Sequence, residues 1–438
     1  MSDNNLRYEL HEAVFKNDLK KVAASLRTHD VGQKDAHGNT PLHLAVMKGH
    51  KECVQLLLAH NAPVKVKNKL GWSPLAEAIS YGDRQTILSL IRKMKLQSRE
   101  SMEVRRPDLT LALSQIGDFY MELKWDFQSW VPLVSRMLPS DICRIHKKGS
   151  NIRLDTTLVD FSDMKWERGD ISFLFMGDAK PSQSLVVLDN KLKVFQKMRY
   201  EETEGEVEDE VDLLMSSDVV AAQISTKSIT FQRAQCGWLF REDKTETIGH
   251  FLADVYSVNG LYLESRKRRE HLTDEDLHKN KAIFESFTKS GNFLLDNAEI
   301  PILQRRKSLP PPKVKPIPWE EYVNSNDNNI HIGRPMVCKQ TRKHFKATLA
   351  MSEDFPLSVE SLLNVLEVIA PFKHFKKLRD FVQMKLPVGF PIKIDIPILP
   401  TVTACITFQD FQFNVEIPDS DFEIPPDYQE DPTRFPDL

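Results

Sequence analysis

No apolar run in this 438-residue sequence approaches the roughly 18 to 20 residues that a membrane-spanning helix requires. The first residues, MSDNNLRYELHEAV, carry acidic side chains and no apolar core of signal-peptide length. The chain is therefore expected to reach a membrane only by recruitment. Cysteine is sparse as well. The five present (Cys53, Cys143, Cys236, Cys338 and Cys405) are odd in number and widely scattered. That excludes a disulfide framework and a zinc spacing and points to a reducing compartment. An excess of one charge is missing too: 59 Lys and Arg face 62 Asp and Glu, a net charge of −3. Nothing global invites nucleic acid, whose binders carry a basic domain or stripe.

Catalytic signatures are also lacking. There is no P-loop, dinucleotide fingerprint, nucleophile elbow, HExxH or kinase motif set. Ser286-Phe287-Thr288-Lys289 matches S-x-x-K without companion motifs, and His271 and His278 can share a helix face but lack further metal ligands. The run Arg266 to Arg269 stands between Glu264 and Glu270 and reads as a charge cluster on a helix surface. No catalytic, cofactor or metal residue is assigned, and the expectation is a non-enzyme without cofactors.

What is present instead is a repeat. His37 to His50 (HGNTPLHLAVMKGH) aligns with Leu70 to Asp83 (LGWSPLAEAISYGD), pairing Gly38 with Gly71, Thr40 with Ser73, Pro41 with Pro74, Leu42 with Leu75, Ala45 with Ala78 and Gly49 with Gly82. Each offset is 33, the ankyrin period. A weaker copy begins at Leu10, with His11, Ala13 and Val22 standing 32 before His43, Ala45 and Val54. Thr40 and Ser73 are suited to cap a helix whose first position is proline, and Gly49 and Gly82 to end it. Residues 1–97 are read as about three ankyrin repeats, the first degenerate. Such arrays bind proteins through finger tips and an inner helix face. The partner-binding candidates are Lys34, His37, Asn39, Lys67, Lys69 and Trp72 at the tips, with Met47 and Tyr81 on the inner face. Trp72 and Tyr81 equally suit packing against the next domain.

The remainder reads as a β-rich α+β domain over 98–418, so the fold class is α+β: an α-solenoid succeeded by mixed structure with antiparallel sheet. After the charged stretch Ser98 to Arg106, Pro107 marks a joint or a continuing helix, and Asp108 to Leu123 looks helical. Strands are expected at Ile171–Met176, Leu185–Leu188 and Leu192–Phe195, the last two joined by a turn at Asp189-Asn190-Lys191. The carboxylate-rich stretch within 200–217 should be a solvated acidic loop. Proline density over 304–318 implies an extended linker, in which Ser308 suits a phosphate and Pro310-Pro311-Pro312 an SH3 domain. Ser358 caps a helix beginning at Val359, and Phe372–Lys385 forms a second, basic amphipathic helix. In that helix Lys373, Lys376, Lys377 and Arg379 are membrane-docking candidates, although its lysines suit plain solvation as well. Phe390 to Ile398 alternates with Pro391 and Pro397, which is read as an edge strand open to a partner strand. Residues 419–438 are expected to be a flexible acidic tail.

Four longer blocks carry a resemblance: WDFQSWVPLVSRMLPSD from Trp125, NIRLDTTLVDFSDMKW from Asn151, the segment Gly237 to Leu272, and APFKHFKKLRDFVQMKLPVGFPIKIDIPILPT from Ala370. With them the chain resembles the ankyrin-repeat domain-containing protein 13 family, whose C-terminal part is called the GPCR-chaperone domain, over essentially its whole length. Longer members carry ubiquitin-interacting helices after that domain; the segment ending at Leu438 shows no such acidic–alanine–serine helix. The resemblance implies a peripheral protein on the cytosolic face of the endoplasmic reticulum. There it would bind cytosolic segments of newly made G protein-coupled receptors and control their export. The alternative is a general ankyrin scaffold or a trafficking adaptor for membrane receptors.

Overall fold

The computed structural model describes residues 7–129, 138–162, 165–197, 202–225, 228–237, 241–289, 305–325, 330–369, 386–399 and 402–435. Lys373, Lys376, Lys377 and Arg379 lie outside the described residues. The chain packs as two compact units, each gathered from three stretches. One is Met1–Ser101, Glu202–Gln223 and Glu264–Thr341; the other is Met102–Glu201, Ile224–Leu263 and Arg342–Leu438. A boundary near residue 97 is thus only the first of several crossings. No described helix is long and apolar enough to cross a membrane.

In the first unit the repeats fold as helix pairs. Helix α1 (Glu9–Phe15) pairs with α2 (Leu19–Ser25), α3 (Pro41–Lys48) with α4 (Lys51–Ala59), and α5 (Pro74–Tyr81) with the start of α6 (Arg84–Gln115). Pro41 and Pro74 take the first helical position, where a missing N–H leaves no bond unmade. The Ser73 side chain accepts the Ala76 N–H. Gly49 and Gly82 end their helices at φ +71° and +87°, a left-handed conformation in which a Cβ is strained. His43 ties successive repeats together: its Nδ1 accepts the Thr40 N–H at 3.1 Å and its Nε2 donates to the Trp72 carbonyl at 3.1 Å. Burial brings this imidazole down to about 4, so it is neutral at physiological pH.

Later parts of the chain enter the same core. Helix α7 (Glu204–Ser216) occupies the stretch expected to be an acidic loop. Two features outweigh carboxylate repulsion there. Thr203 and Glu206 form a capping box, and Val207, Val211 and Met215 recur at helical spacing on a buried face. The carboxylates are neutralised by Arg84, Arg92, Lys95 and Arg305. Helix α8 (Asp274–Lys289) and the short α9 (Trp319–Asn324) complete the unit. Trp319, Tyr322, Val323 and Ile332 join Val14, Phe15 and Met47 in one apolar cluster.

Most of one long sheet belongs to the second unit. Its strands are β1 (Phe119–Ser129), β2 (Ser140–Lys148), β3 (Asn151–Ser162), β4 (Lys165–Phe175), β5 (Leu185–Asp189), β6 (Val194–Lys197), β7 (Val219–Ser225) and β8 (Thr230–Arg233). After the two-residue pair β9 (Gln235–Cys236) and β10 (Glu242–Asp243) come β11 (Thr245–Ile248), β12 (Phe251–Arg268), β13 (Cys338–Ser352), β14 (Phe390–Leu399), β15 (Val402–Phe413) and β16 (Gln429–Glu430). The order is β11-β12-β13-β14-β15-β1-β2-β3-β4-β5-β6-β16, with β7 and β8 also pairing β12. Consecutive strands from β1 to β6 pair antiparallel, as do β13 to β15, whereas β16 closes on β6 in parallel. Phe119, Phe251, Phe355, Phe390, Phe408 and Phe411 fill the core beneath the sheet, and Phe355 stacks on Phe390 with centroids 4.1 Å apart. Helix α10 (Val359–Ile369) begins as expected at Ser358, whose hydroxyl accepts the Ser361 N–H.

Three further expectations change. Helix α6 runs through Pro107 but stops at Gln115, and Phe119 to Leu123 is already strand β1. Strand β14 is interior, paired with both β13 and β15. Its prolines are tolerated because the register shifts beside them, between Ala350 and Met351 opposite Pro391 and again between Pro397 and Leu399. The described part of the stretch expected to be a flexible tail, 419–435, is pinned: β16 pairs with β6, and Arg434 meets Asp189 at 2.8 Å.

Candidate protein-binding surface

The ankyrin fingers are stitched turns. Asp35 Oδ1 accepts the His37 and Asn39 N–H groups, each at 2.8 Å, and the Lys69 N–H donates to the His37 carbonyl of the preceding finger. Lys34 Nζ reaches the Lys67 carbonyl at 2.8 Å. Lys34, Lys67 and Lys69 stand exposed on these tips, as the repeat alignment placed them.

The other five candidates are not an open face. His37, Asn39, Met47 and Trp72 are only 7%, 4%, 2% and 2% exposed, and Tyr81 is half-buried. The unit's own later segments cover them. His37 Nε2 lies 2.9 Å from the Tyr322 carbonyl, Asn39 Nδ2 donates to Tyr322 Oη at 2.8 Å, and that hydroxyl donates to Asp35 Oδ2 at 2.7 Å. The Tyr322 ring stacks on Phe15, and Trp319 meets Phe15 edge-on, both at 5.4 Å. Trp72 lies under the guanidinium groups of Arg266 and Arg268, 5.5 and 5.0 Å from its centroid. A Cβ on Gly333 would sit 3.4 Å from Met47 Cγ, and Arg334 Nη2 donates to the Tyr81 carbonyl at 2.9 Å. The inner face is occupied because an aromatic helix and a pair of arginines satisfy its apolar and π surfaces better than water does.

An ion cluster lies beneath this cover. Glu77, on α5, receives Arg268 Nη1 and His331 Nε2, each at 3.0 Å. Arg268 Nε donates to Glu270 at 2.6 Å, and Ser80 Oγ donates to the same carboxylate at 2.7 Å. Both Glu77 and Arg268 are wholly buried at the side chain. Burial alone would raise the Glu77 carboxyl, yet Arg268 and His331 bring it down to about 2. Arg268 is therefore an interior partner and not part of a helix surface, and His271 is buried with its Nε2 on the Ser217 carbonyl.

These covering residues escaped sequence reasoning, although one signal was readable. The repeat alignment places Glu77 where the preceding repeat has Leu44, a fully buried position. A carboxylate there demands a cation from elsewhere in the chain. Nothing in the spacing names Arg268 or Tyr322 as the partners.

Among the described residues no group of three or more His, Cys, Asp and Glu could hold a metal. The second unit has an open cleft of about 600 Å³ whose lining includes Arg106, Thr110, Ser150 and Asp178. Arg106 is committed there to the carbonyls of Gly177 and Ala179 at 3.3 and 2.8 Å.

Comparison with known proteins finds two family models, one for each end of the chain. Residues 10–100 match the model for ankyrin repeats in three copies, and residues 153–431 match the ANKRD13 C-terminal model. Ankyrin repeat domain-containing protein 13C-A of Xenopus laevis is 65% identical over 438 residues, covering 100% of this chain and 85% of that protein. The 13C protein of Homo sapiens is 65% identical over 432 residues, 98% of this chain and 79% of that protein. The 13B protein of Mus musculus is 36% identical over 429 residues, 92% and 67% respectively.

Proposed function

This chain belongs to the ankyrin repeat domain-containing protein 13 family, and from that membership we propose that it is a non-catalytic chaperone for newly made G protein-coupled receptors. It binds their cytosolic segments and regulates their exit from the endoplasmic reticulum, working as a peripheral protein on the cytosolic face of that membrane. Family membership, together with the resemblance of the whole chain to receptor-chaperone members, carries the reading. The exposed row Lys34, Lys67 and Lys69 supports it, because a cationic finger edge complements acidic or phosphorylated receptor tails. The basic stretch with Lys373, Lys376, Lys377 and Arg379 is proposed to aid docking on the anionic leaflet.

Titration of the purified chain against a broad panel of fluorescent receptor C-terminal and loop peptides tests this. Saturable binding to several is expected. The combined change Lys34→Glu, Lys67→Glu and Lys69→Glu should weaken it about tenfold, or ~1.4 kcal/mol, with the loss shrinking as salt rises. Silence across the whole panel in moderate salt would remove the proposal.

A further inference from the structure

The extended stretch beginning at Arg305 is exposed at Arg305, Lys307, Ser308 and Pro310. Its tie to the ankyrin array is short. The Leu309 N–H donates to the Gly82 carbonyl at 2.8 Å. The Ser308 hydroxyl accepts the Arg84 N–H at 3.0 Å and donates to Asp83 Oδ1 at 3.3 Å. Asp83 is buried and fully engaged, with Lys51 Nζ at 2.7 Å on Oδ1 and the Thr86 N–H and hydroxyl at 3.1 and 2.7 Å on Oδ2. An exposed serine therefore gives its one proton to a carboxylate that has no room for a second negative charge.

We propose that Ser308 is a phosphoacceptor and that its phosphorylation unseats the strap 305–324 from the ankyrin array. Arg305, Arg306 and Lys307 precede the hydroxyl in an extended, accessible segment. That is the charge pattern which the acidic substrate groove of an arginine-directed kinase reads. In the transfer, Ser308 Oγ bonds to the γ-phosphorus of ATP as the bond to the bridging oxygen breaks. ADP leaves, and the hydroxyl proton passes to the kinase base and on to water. The modified oxygen has no hydrogen left for Asp83, and the phosphate brings a charge of about −1.5 to −2 beside it. Two nearby guanidinium groups are already paired, Arg84 with Glu208 and Asp212, and Arg306 with Asp276. Losing this anchor loosens Leu309 from Gly82 and, beyond it, the aromatic helix over the finger turns. The readout needs no client, so this inference stands or falls apart from the receptor reading.

The test treats the full chain, and the same chain carrying Ser308→Ala, with the catalytic subunit of a cyclic-AMP-dependent kinase and ATP. Mass spectrometry should place one phosphate on Ser308 and none there in the variant. Hydrogen exchange of peptides across 309–324 should quicken about tenfold in the phosphorylated chain. No phosphate at Ser308 overturns the proposal. Unchanged or slowed exchange also overturns it, the slowed result meaning that Lys51 has turned from Asp83 to the phosphate. Asp83→Asn keeps a capping side chain while removing the charge. In that background phosphorylation should quicken exchange by less than about threefold, and an undiminished effect would assign release to bulk and refute the electrostatic account.

Discussion

Replacing Tyr322 by alanine is expected to destabilise the ankyrin unit by about 4 kcal/mol, the scale of deleting a fully buried aromatic side chain. The ring is 0% exposed and stacks on Phe15, so its removal leaves a cavity in the cluster it shares with Trp319 and Met47. The hydroxyl adds a second cost. Without it, Asp35 and Asn39 lose a partner at 2.7 and 2.8 Å inside the finger turn. Tyr322→Phe isolates that contribution and should cost about 1–3 kcal/mol. Urea titration read by hydrogen exchange of the Pro41–Lys48 amides measures both. A loss below about 1 kcal/mol for the alanine variant, within the range of ordinary surface changes, would mean that α9 merely rests on the array.

Glu77→Ala should cost a similar ~3–5 kcal/mol, because it strands part of the charge of a buried arginine. The pair itself is not expected to be a net stabiliser. Glu77→Leu combined with Arg268→Met should recover part of the loss, since the preceding repeat already holds Leu44 at this position while Glu270 gives up its arginine. The pH dependence follows from the depressed carboxyl. Glu77 titrates near 4.5 when unfolded and at about 2 when folded. Its contribution is therefore fully present above pH ~4.5 and is lost as pH falls toward 2. His43, lowered by burial from 6.5 to about 4, adds an earlier loss as pH falls through that interval, because the unfolded imidazole takes up a proton that the folded one refuses. Acid titration of the double variant should keep the upper phase and shed part of the lower one. A curve superimposable on wild type below pH ~4.5 would remove Glu77 from the acid response.

The ankyrin part was legible because its signals are local. A proline preceded by Thr40 or Ser73 and a glycine at the helix end act within one helix, so a period of 33 fixes them without knowledge of the rest. The exposed finger lysines came from the same register. What covers the array was not legible, for the opposite reason. His37 meets Tyr322 285 residues later, and Glu77 meets Arg268 191 residues later. No periodicity encodes such pairings. Charge count and proline content taken alone point away from the acidic helix and from an interior strand β14. A capping box at Thr203, and register shifts beside Pro391 and Pro397, outweigh what composition alone suggests. One practical consequence is that deleting residues 1–97 would leave Arg268, Trp319 and Tyr322 without the array they pack on, so point changes are the cleaner probe of client binding.

Hydrogen exchange on the intact chain, with and without a saturating receptor-tail peptide, is the most direct measurement. New protection is expected in peptides spanning 34–39 and 65–70, with 309–324 unchanged. Protection confined elsewhere, or a strap that opens while the inner face becomes protected, would contradict client binding at the finger tips.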